Sequence, residues 1–387
     1  MKSTLSWFSL FLSLTLLMAG CAGGGSESLS SGGDSAGGHS DVSSGFSSGP
    51  ASQAGTKSEA PESPPEDAVS PGGDILSLEP GLSAVRFDGD YGFDVFLAQG
   101  GAASDGEVAR YLAENLLENA GLDFVGRFFG CSTIAAISPS GDALFGRNFD
   151  WNACQAMVME AHPTNGYASL STVNMDFIAQ GAGDKLDAAL KLDTVRTLAA
   201  LYAPLDGMNE AGLAVSVNMI QDSAVIRQDT GKPDLTTTTA VRLLLDKAAS
   251  VGEALELLRQ YDLHASMGMT IHFALADRTG RSAAVEYVDQ EMTVIETPVL
   301  TNFYLAPGEK YGVGTRQSQE RFAILTGLLA ERETLSEADV RDALSRVSKG
   351  NFGEFESTEW SMVLNLAAKT ARYYHRENYE NSYLFKL

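Results

Sequence analysis

The sequence predicts an α+β protein in which helices pack on mainly antiparallel sheets. The predicted strands come in pairs, and short turn-rich segments such as 138–142 and 277–280 join them. The predicted helices also come in pairs, and no strict alternation of strand, helix and parallel strand runs along the chain. Blocks of strands and blocks of helices are typical of layered α+β folds, whereas a doubly wound sheet requires the alternating order.

The individual elements follow from apolar periodicity and from the residues that begin or end each run. Before Cys131, two runs are typical of strands, 83–87 and 92–97, and a helix begins near Ser104 and ends at Asn119-Ala120-Gly121. After Cys131, the predicted strands are 133–137, 143–146, 168–173, 212–218, 269–276, 282–288 and 292–296. The predicted helices are 237–249, 251–261 with Ser250 as a cap, 317–330, and 336–348 with a Ser-x-x-Asp capping pattern.

The first twenty residues are predicted to be a signal peptide. Lys2 supplies a weak positive start, and the apolar run at 7–18 is too short to be a comfortable membrane span. The run ends in Leu17-Met18-Ala19-Gly20-Cys21, which resembles a bacterial lipobox and implies that Cys21 carries the lipid anchor. The alternative is a plain secretion signal in which Cys21 has no role. We therefore expect an extracytoplasmic lipoprotein that meets the cell membrane through this anchor only.

The composition divides the rest of the chain and excludes some partners. Residues 21–74 are rich in Ser, Gly, Pro and acid, which predicts a lipidated, disordered tether, followed by an N-terminal segment at 75–130 and the main domain at 131–387. The net charge is -23, and Lys and Arg form no cluster. Nucleic acids and anionic membrane surfaces need a positive footprint, so neither is an expected partner.

Cysteines and histidines are the first candidates for chemistry. If lipid takes Cys21, Cys131 and Cys154 remain, and in an exported protein the cysteine count alone leaves a disulfide between them open. A Cys-His-Asn set of Cys131, His272 and Asn302 is conceivable. However, His272 lies in an apolar predicted strand, where a buried structural histidine is commoner. No metal-ligand spacing and no glycine-rich phosphate loop occur, so no cofactor and no metal are expected.

The stretch around Cys131 resembles a known family. Cys131-Ser132-Thr133-Ile134, a turn, and then Gly146-Arg147-Asn148-Phe149-Asp150-Trp151 is similar to the start of the mature chain in choloylglycine hydrolases, a family of N-terminal nucleophile hydrolases. That family includes bile salt hydrolases, penicillin V acylases and the related N-acylethanolamine acid amidases and acid ceramidases. The resemblance covers nearly all of 131–387, and its further segments are 207–213 with Asn218, 272–277, 284–287, 299–302, 318–322, 358–365 and 371–374.

The resemblance implies a four-layer αββα sandwich and a hydrolase of linear amide C–N bonds that acts on a small-molecule amide. It implies that Cys131 is the nucleophile and that self-cleavage of the Gly130–Cys131 bond exposes it, so that thiol and basic α-amino group belong to one residue. The resemblance implies that Asp150 accepts hydrogen bonds from the new α-amino group, and that Arg147 and Arg321 place positive charge beside the thiolate, with Arg316 competing for the second role. It also implies an oxyanion hole from Asn218 and from the backbone or side chain at Asn302.

Several alternatives remain open at this point. The long segment before Cys131 departs from the bile salt hydrolases and is more like the amidase and ceramidase relatives, which keep an N-terminal fragment. An acyltransferase would use the same scaffold with an amine in place of water, and a non-catalytic tethered binding lipoprotein would be favoured by a Cys131–Cys154 disulfide. Four apolar residues could line an acyl pocket or belong to the core: Met157, Met159, Phe177 and Ile178.

Overall fold

The computed structural model describes residues 68–116, 130–179, 193–221, 224–308, 312–350 and 357–387. The predicted signal peptide, most of the predicted tether and the end of the helix that was expected to reach Gly121 lie outside the described residues. The described residues all belong to one compact unit, Ser63–Leu387. No helix among them is both long enough and apolar enough to cross a membrane.

The larger sheet contains nine strands within the described residues, and their spatial order follows the chain order. The strands are β1 (Leu76–Glu79), β2 (Leu82–Gly89), β5 (Ala156–Pro163), β6 (Ser169–Asn174), β7 (Asp206–Asn209), β8 (Leu213–Met219), β11 (Ile271–Asp277), β12 (Ser282–Val288) and β13 (Glu291–Glu296). Neighbours are antiparallel except β2 and β5, which are parallel because the chain between them leaves the sheet and returns.

The second sheet contains six antiparallel strands within the same ranges, in the spatial order β14-β3-β4-β15-β16-β17. These strands are β3 (Gly130–Ile137), β4 (Ala143–Trp151), β14 (Val299–Leu300), β15 (Ser357–Asn365), β16 (Thr370–His375) and β17 (Tyr383–Lys386). Two short parallel strands, β9 (Asp234–Thr236) and β10 (Asp262–His264), form a separate pair.

The described segments contain eight α-helices. They are α1 (Phe93–Ala98), α2 (Asp105–Asn115), α3 (Met175–Ala179), α4 (Asp193–Leu201), α5 (Thr237–Lys247), α6 (Val251–Leu258), α7 (Arg316–Glu331) and α8 (Glu337–Arg346). The predicted caps are confirmed at Ser104 and Ser250, whose side chains accept from the third helical N–H, and at Ser336, which forms a capping box with Asp339.

Helices cover the outer faces of the two sheets. Helix α5 packs on β7 and β8, helix α8 packs on β3, β4 and β15, and the sheets meet where β3 contacts β8. In the main core Trp360 stacks on Phe149 with ring centroids 3.8 Å apart. A second core, which includes Ile134 and Leu344, lies under helices α7 and α8. The order helix, sheet, sheet, helix confirms the predicted αββα arrangement.

The two strands around Cys131 are longer than predicted. Strand β3 begins at Gly130, and β4 continues to Trp151 instead of ending at residue 146. All nine residues of β4 are buried, including Arg147, Asn148 and Asp150. These polar side chains interrupt the apolar pattern, whereas a strand buried on both faces is normally recognised from a continuous apolar run.

One predicted strand in the N-terminal segment is wrong. Residues 92–97 were expected to be extended, whereas Phe93–Ala98 form helix α1. Phe93 and Phe96 lie three residues apart, so one helix face presents both rings to Tyr202, at centroid distances of 5.5 and 5.7 Å. A six-residue apolar run does not distinguish the period of a strand, 2, from that of a helix, 3.6. Here the packing of the two rings on Tyr202 favours the helix.

Candidate active site

The β3–β4 hairpin brings Cys131 and Arg147 together. Cys131 pairs with Phe149 and Thr133 pairs with Arg147 in the antiparallel register, so the thiol and the guanidinium lie diagonally on one face. Arg147 Nη2 donates to Cys131 Sγ at 3.4 Å. Gly130 pairs with Asp150, and because side chains alternate along a strand, the carboxylate lies on the opposite face from the thiol.

Arg147 is held by groups from the facing sheet. Its side chain is fully buried, and its Nε lies 2.8 Å from Asp206 Oδ2, which also accepts from Trp360 Nε1 at 3.0 Å. Nη1 donates to the Leu205 carbonyl at 3.1 Å and to Ser216 Oγ. These contacts leave Nη2 directed at the Cys131 thiol, so the guanidinium position is set by β7 and β8, not by the hairpin alone.

Cys131 is completely buried, and its thiol is a weak acid in the uncut chain. Burial raises the pKa of Cys131 to about 12; the charge of Arg147 opposes this rise, Asp150 adds to it, and Arg321 opposes it. At neutral pH the thiol is therefore protonated, and a base must take its proton when it attacks.

Asn302 and Arg321 hold the backbone on both sides of the Cys131 Cα. The Cys131 N–H donates to Asn302 Oδ1 at 2.9 Å, and Arg321 Nη2 donates to the same oxygen at 2.8 Å. Arg321 Nη1 donates to the Cys131 carbonyl at 2.9 Å and to Ser132 Oγ at 2.6 Å. Asn302 Nδ2 donates to the Met219 carbonyl at 2.8 Å, which fixes the amide orientation.

The choice between the two arginines of helix α7 is clear from their positions. Arg316 has 91% of its side chain exposed and pairs with Glu320 on the surface. Arg321 has 5% exposed and contacts Cys131, Asn302 and Asp150. Arg321 is therefore the arginine at the site.

Asp150 accepts hydrogen bonds from two side chains and lies near a third, whereas its implied role concerns an amino group that exists only after cleavage. Its Oδ2 lies 3.0 Å from Arg321 Nη1 and 3.7 Å from Lys349 Nζ, and its Oδ1 accepts from Thr358 Oγ1 at 2.7 Å. The acceptor for the Cys131 N–H is Asn302. Sequence reasoning missed Lys349, which follows helix α8 in a stretch that carries no recognisable pattern.

Asn218 is joined to these residues indirectly. On β8, its Nδ2 donates to the carbonyls of Leu300 and Thr301 at 3.3 and 3.4 Å, and its Oδ1 accepts from Ser216 Oγ at 3.0 Å. Asn218 thus supports the segment that leads into Asn302. Its predicted role as an oxyanion donor requires that substrate replace one of these carbonyls.

The remaining predicted groups have structural surroundings. Cys131 and Cys154 are both free and buried, so no disulfide joins them. His272 Nδ1 lies 3.1 Å from Glu286 Oε1 and Nε2 lies 2.9 Å from the Thr301 carbonyl, so neither ring nitrogen serves the thiol. The four apolar residues considered for an acyl pocket all belong to the main core: Met157, Met159, Phe177 and Ile178.

Fold and site can now be compared with known proteins. Two mainly antiparallel sheets lie between helix layers, and Cys131 is the second residue of strand β3 in the smaller sheet; this is the fold that the resemblance to N-terminal nucleophile hydrolases implies. Residues 131–304 match the family model of linear amide C-N hydrolases, choloylglycine hydrolase family. This match confirms, for residues 131–304, the resemblance seen in the sequence.

Individual relatives are distant. The chain is 30% identical over 99 residues to a penicillin V acylase of Pectobacterium atrosepticum, a match that covers 23% of this chain and only 26% of the acylase. A variant of the conjugated bile acid hydrolase from Clostridium perfringens superposes with a TM-score of 0.50 at 18% identity, over 66% of this chain and 92% of that one. For the penicillin V acylase from Agrobacterium tumefaciens the TM-score is 0.45 at 20% identity, over 63% and 83%. The second of these matches supports the fold and says nothing of substrate.

Proposed function

We propose that this protein hydrolyses small linear amides, of the N-acyl amide or conjugated bile salt type, with Cys131 as an N-terminal nucleophile after self-cleavage at Gly130–Cys131. One observation carries the proposal. The thiol and the backbone nitrogen of the same residue are held by separate polar groups, Arg147 on Sγ and Asn302 on N. Any buried backbone N–H needs a partner, but a structural cysteine does not need a buried guanidinium directed at its sulfur.

The proposed reaction uses the two atoms in turn. Cleavage converts the Cys131 amide into an α-amino group with an ordinary pKa of about 7.7–8.0, which makes it a usable base at neutral pH. The amine takes the thiol proton, and sulfur attacks the substrate carbonyl carbon. The C–N bond then breaks, the leaving amine receives the proton, and water releases the acid from the thioester. Asn302 Oδ1 would orient the amine, and Arg147 would stabilise the thiolate.

The relatives supply the substrate classes to test. Penicillin V acylases and a conjugated bile acid hydrolase are among the proteins that this chain is similar to. We therefore propose a comparison of conjugated bile salts, N-acylethanolamines, penicillin V and acyl-homoserine lactones as substrates. Product analysis with competing amines separates hydrolysis from acyl transfer. We also propose that Cys21 anchors the enzyme on the outer side of the cell membrane, which labelling with a palmitate analogue would test.

The central experiment is the substitution Cys131→Ala with Cys154→Ala as its matched control. Both cysteines are buried and free, and only Cys131 is held by Arg147. N-terminal sequencing and intact mass should find a chain that begins at Cys131 in the wild type and in Cys154→Ala. In Cys131→Ala the chain should stay whole, and hydrolysis should fall to background. An active enzyme whose chain remains uncut would refute the self-processing mechanism.

A further inference from the structure

Lys349 is a buried lysine beside the bond that is proposed to break. Its side chain is 4% exposed, and its Nζ lies 3.7 Å from Asp150 Oδ2. A Cβ atom placed on Gly130 would lie 2.6 Å from that Nζ, closer than real Cβ contacts come. The ammonium group therefore occupies the space that a side chain at residue 130 would take. A larger residue at position 130 would have to displace it.

The backbone of Lys349 is fixed relative to Asp150 by one residue. Lys349 N donates to Thr358 Oγ1 at 2.8 Å, and Thr358 N donates to the Lys349 carbonyl at 2.9 Å. The same hydroxyl donates to Asp150 Oδ1 at 2.7 Å. Thr358 thus joins Lys349 to the strand that pairs with Gly130, and the lysine is held against the scissile residue by β15.

Three cationic side chains lie around the Gly130–Cys131 bond, each beside a different group. Arg147 contacts the thiol of Cys131, Arg321 contacts the Cys131 carbonyl, and Lys349 lies against Gly130. Attack of the thiol on the Gly130 carbonyl places negative charge on the Gly130 oxygen, and Lys349 is the cation whose Nζ lies against Gly130. We propose that Lys349 is a self-cleavage residue that stabilises this charge, an inference that rests on the proposed function.

The proposed self-cleavage needs only groups of this chain and one water molecule. Cys131 Sγ forms a bond to the Gly130 carbonyl carbon, and the thiol proton moves to the Cys131 nitrogen as the C–N bond breaks. The product is a thioester between Gly130 and Cys131 with a free α-amino group. Water then adds to the thioester carbon, which leaves a Gly130 carboxylate and restores the thiol. Lys349 remains an ammonium group throughout and pairs with the carboxylate at the end.

The test follows cleavage of the full chain after pulse-labelled cell-free synthesis. Lys349→Met removes the charge and keeps most of the side-chain volume, while Asp150 retains Arg321 and Thr358. Loss of one electrostatic stabiliser is expected to slow cleavage by about 100-fold or more. Lys247→Met is the control, because Lys247 also forms an ion pair, with Asp94, on a different helix. It should cleave at the wild-type rate.

Hydroxylamine locates the step, since it cuts a thioester but not the starting amide. It should not restore cleavage in Lys349→Met; restoration would show that the thioester forms without the lysine and would overturn the assignment.

Gly130→Ala is a second variant that displaces the ammonium while Lys349 stays intact, and cleavage at the wild-type rate would also overturn it. If wild-type chain stays whole, the proposed self-cleavage fails; if wild type and Lys349→Met cleave alike, only the role of Lys349 fails.

Discussion

At the scale of single residues, Arg321 has the most specific geometry in the site. Its guanidinium donates to the Cys131 carbonyl, Ser132, Asp150 and Asn302, which lie in different directions. A lysine keeps the charge but cannot reach all of these acceptors at once. We expect Arg321→Lys to lower kcat/KM by about 10–100-fold, because Asn302 and Cys131 lose their common partner.

Arg316→Lys is the matched control on the same helix. The Arg316 side chain lies on the surface and pairs with Glu320, so its replacement should leave kcat/KM within about twofold of the wild type. Rates are normalised to the fraction of chain that begins at Cys131. Equal losses in the two variants would mean that the loss comes from helix α7 as a whole and not from the contacts of Arg321.

The residues of the site differ in how far the sequence predicts them. Cys131, Arg147 and Asp150 lie on one hairpin, so a local motif contains them, and the antiparallel register places Arg147 diagonally from Cys131 and Asp150 opposite Gly130. Asn302 was predicted to serve an oxyanion hole through its backbone or its side chain. In the structure its side-chain oxygen accepts from the Cys131 N–H, and its side-chain nitrogen donates to the Met219 carbonyl. Which end of an amide faces a partner depends on contacts that are distant in sequence, and no local pattern encodes them.

At the scale of elements, the β11–β12 hairpin fixes the segment that carries Asn302. His272 on β11 lies between Glu286 and the Thr301 carbonyl, and Glu286 on β12 accepts from the N–H groups of Leu305 and Ala306. Burial acts to raise the pKa of Glu286, but the hydrogen bonds from His272 and from the backbone outweigh it. The pKa of Glu286 is therefore held below its ordinary value.

This shift predicts how stability depends on pH. A carboxyl group whose pKa is lower in the folded state stabilises that state above its unfolded pKa, and the contribution is lost as pH falls through the folded value. Glu286→Gln should therefore reduce the free energy of unfolding by about 1.5–3 kcal/mol at pH 7, as for hydrogen bonds to charged groups. Chemical denaturation at pH 7 and again below pH 4 should show the difference from wild type shrinking.

Glu291→Gln supplies the comparison for this experiment. Glu291 is exposed at the start of the next strand, β13, so its replacement changes the same charge at a solvated position. We expect an effect within about 0.5 kcal/mol, which is usual for surface substitutions. A Glu286→Gln penalty that stays constant down to pH 3 would contradict the lowered pKa of Glu286.

Many elements were predicted, and strand β5 was missed for a different physical reason from helix α1. Strand 282–288 was predicted with the bounds that β12 has. Apolar residues recur within it, and the turn at 277–280 marks its start. Strand β5 was not predicted, although it occupies the junction between the N-terminal segment and the rest of the large sheet. Its parallel partner β2 lies about seventy residues earlier, and pairing at that separation leaves no signal in a short window.

At the scale of the whole molecule, the N-terminal segment is an integral part of the large sheet. Strand β2 pairs with β5 from Leu82–Ala156 to Gly89–Pro163, on opposite sides of the proposed cleavage point. The Tyr91 hydroxyl also donates to Asp246, and Tyr202 donates to the Tyr91 carbonyl at 3.0 Å. A cut at Gly130–Cys131 therefore severs the chain without removing these contacts. We expect the N-terminal fragment to stay bound as a second subunit.

Helix α1 offers a matched pair of variants for testing that retention. Phe96 is 1% exposed and packs on Tyr111 and Tyr202 at 5.1 and 5.7 Å, whereas its neighbour Val95 is 50% exposed. Removing a buried phenylalanine ring costs about 3–5 kcal/mol, so Phe96→Ala should weaken fragment binding strongly and Val95→Ala hardly at all.

With a tag on the C-terminus of cleaved protein, native mass spectrometry and pull-down should recover the fragment from wild type and Val95→Ala. Phe96→Ala should lose it under mild denaturant, and hydrolysis should fall in parallel because β2 covers the edge of β5. Fragment that leaves wild type under native conditions would refute the two-subunit assembly.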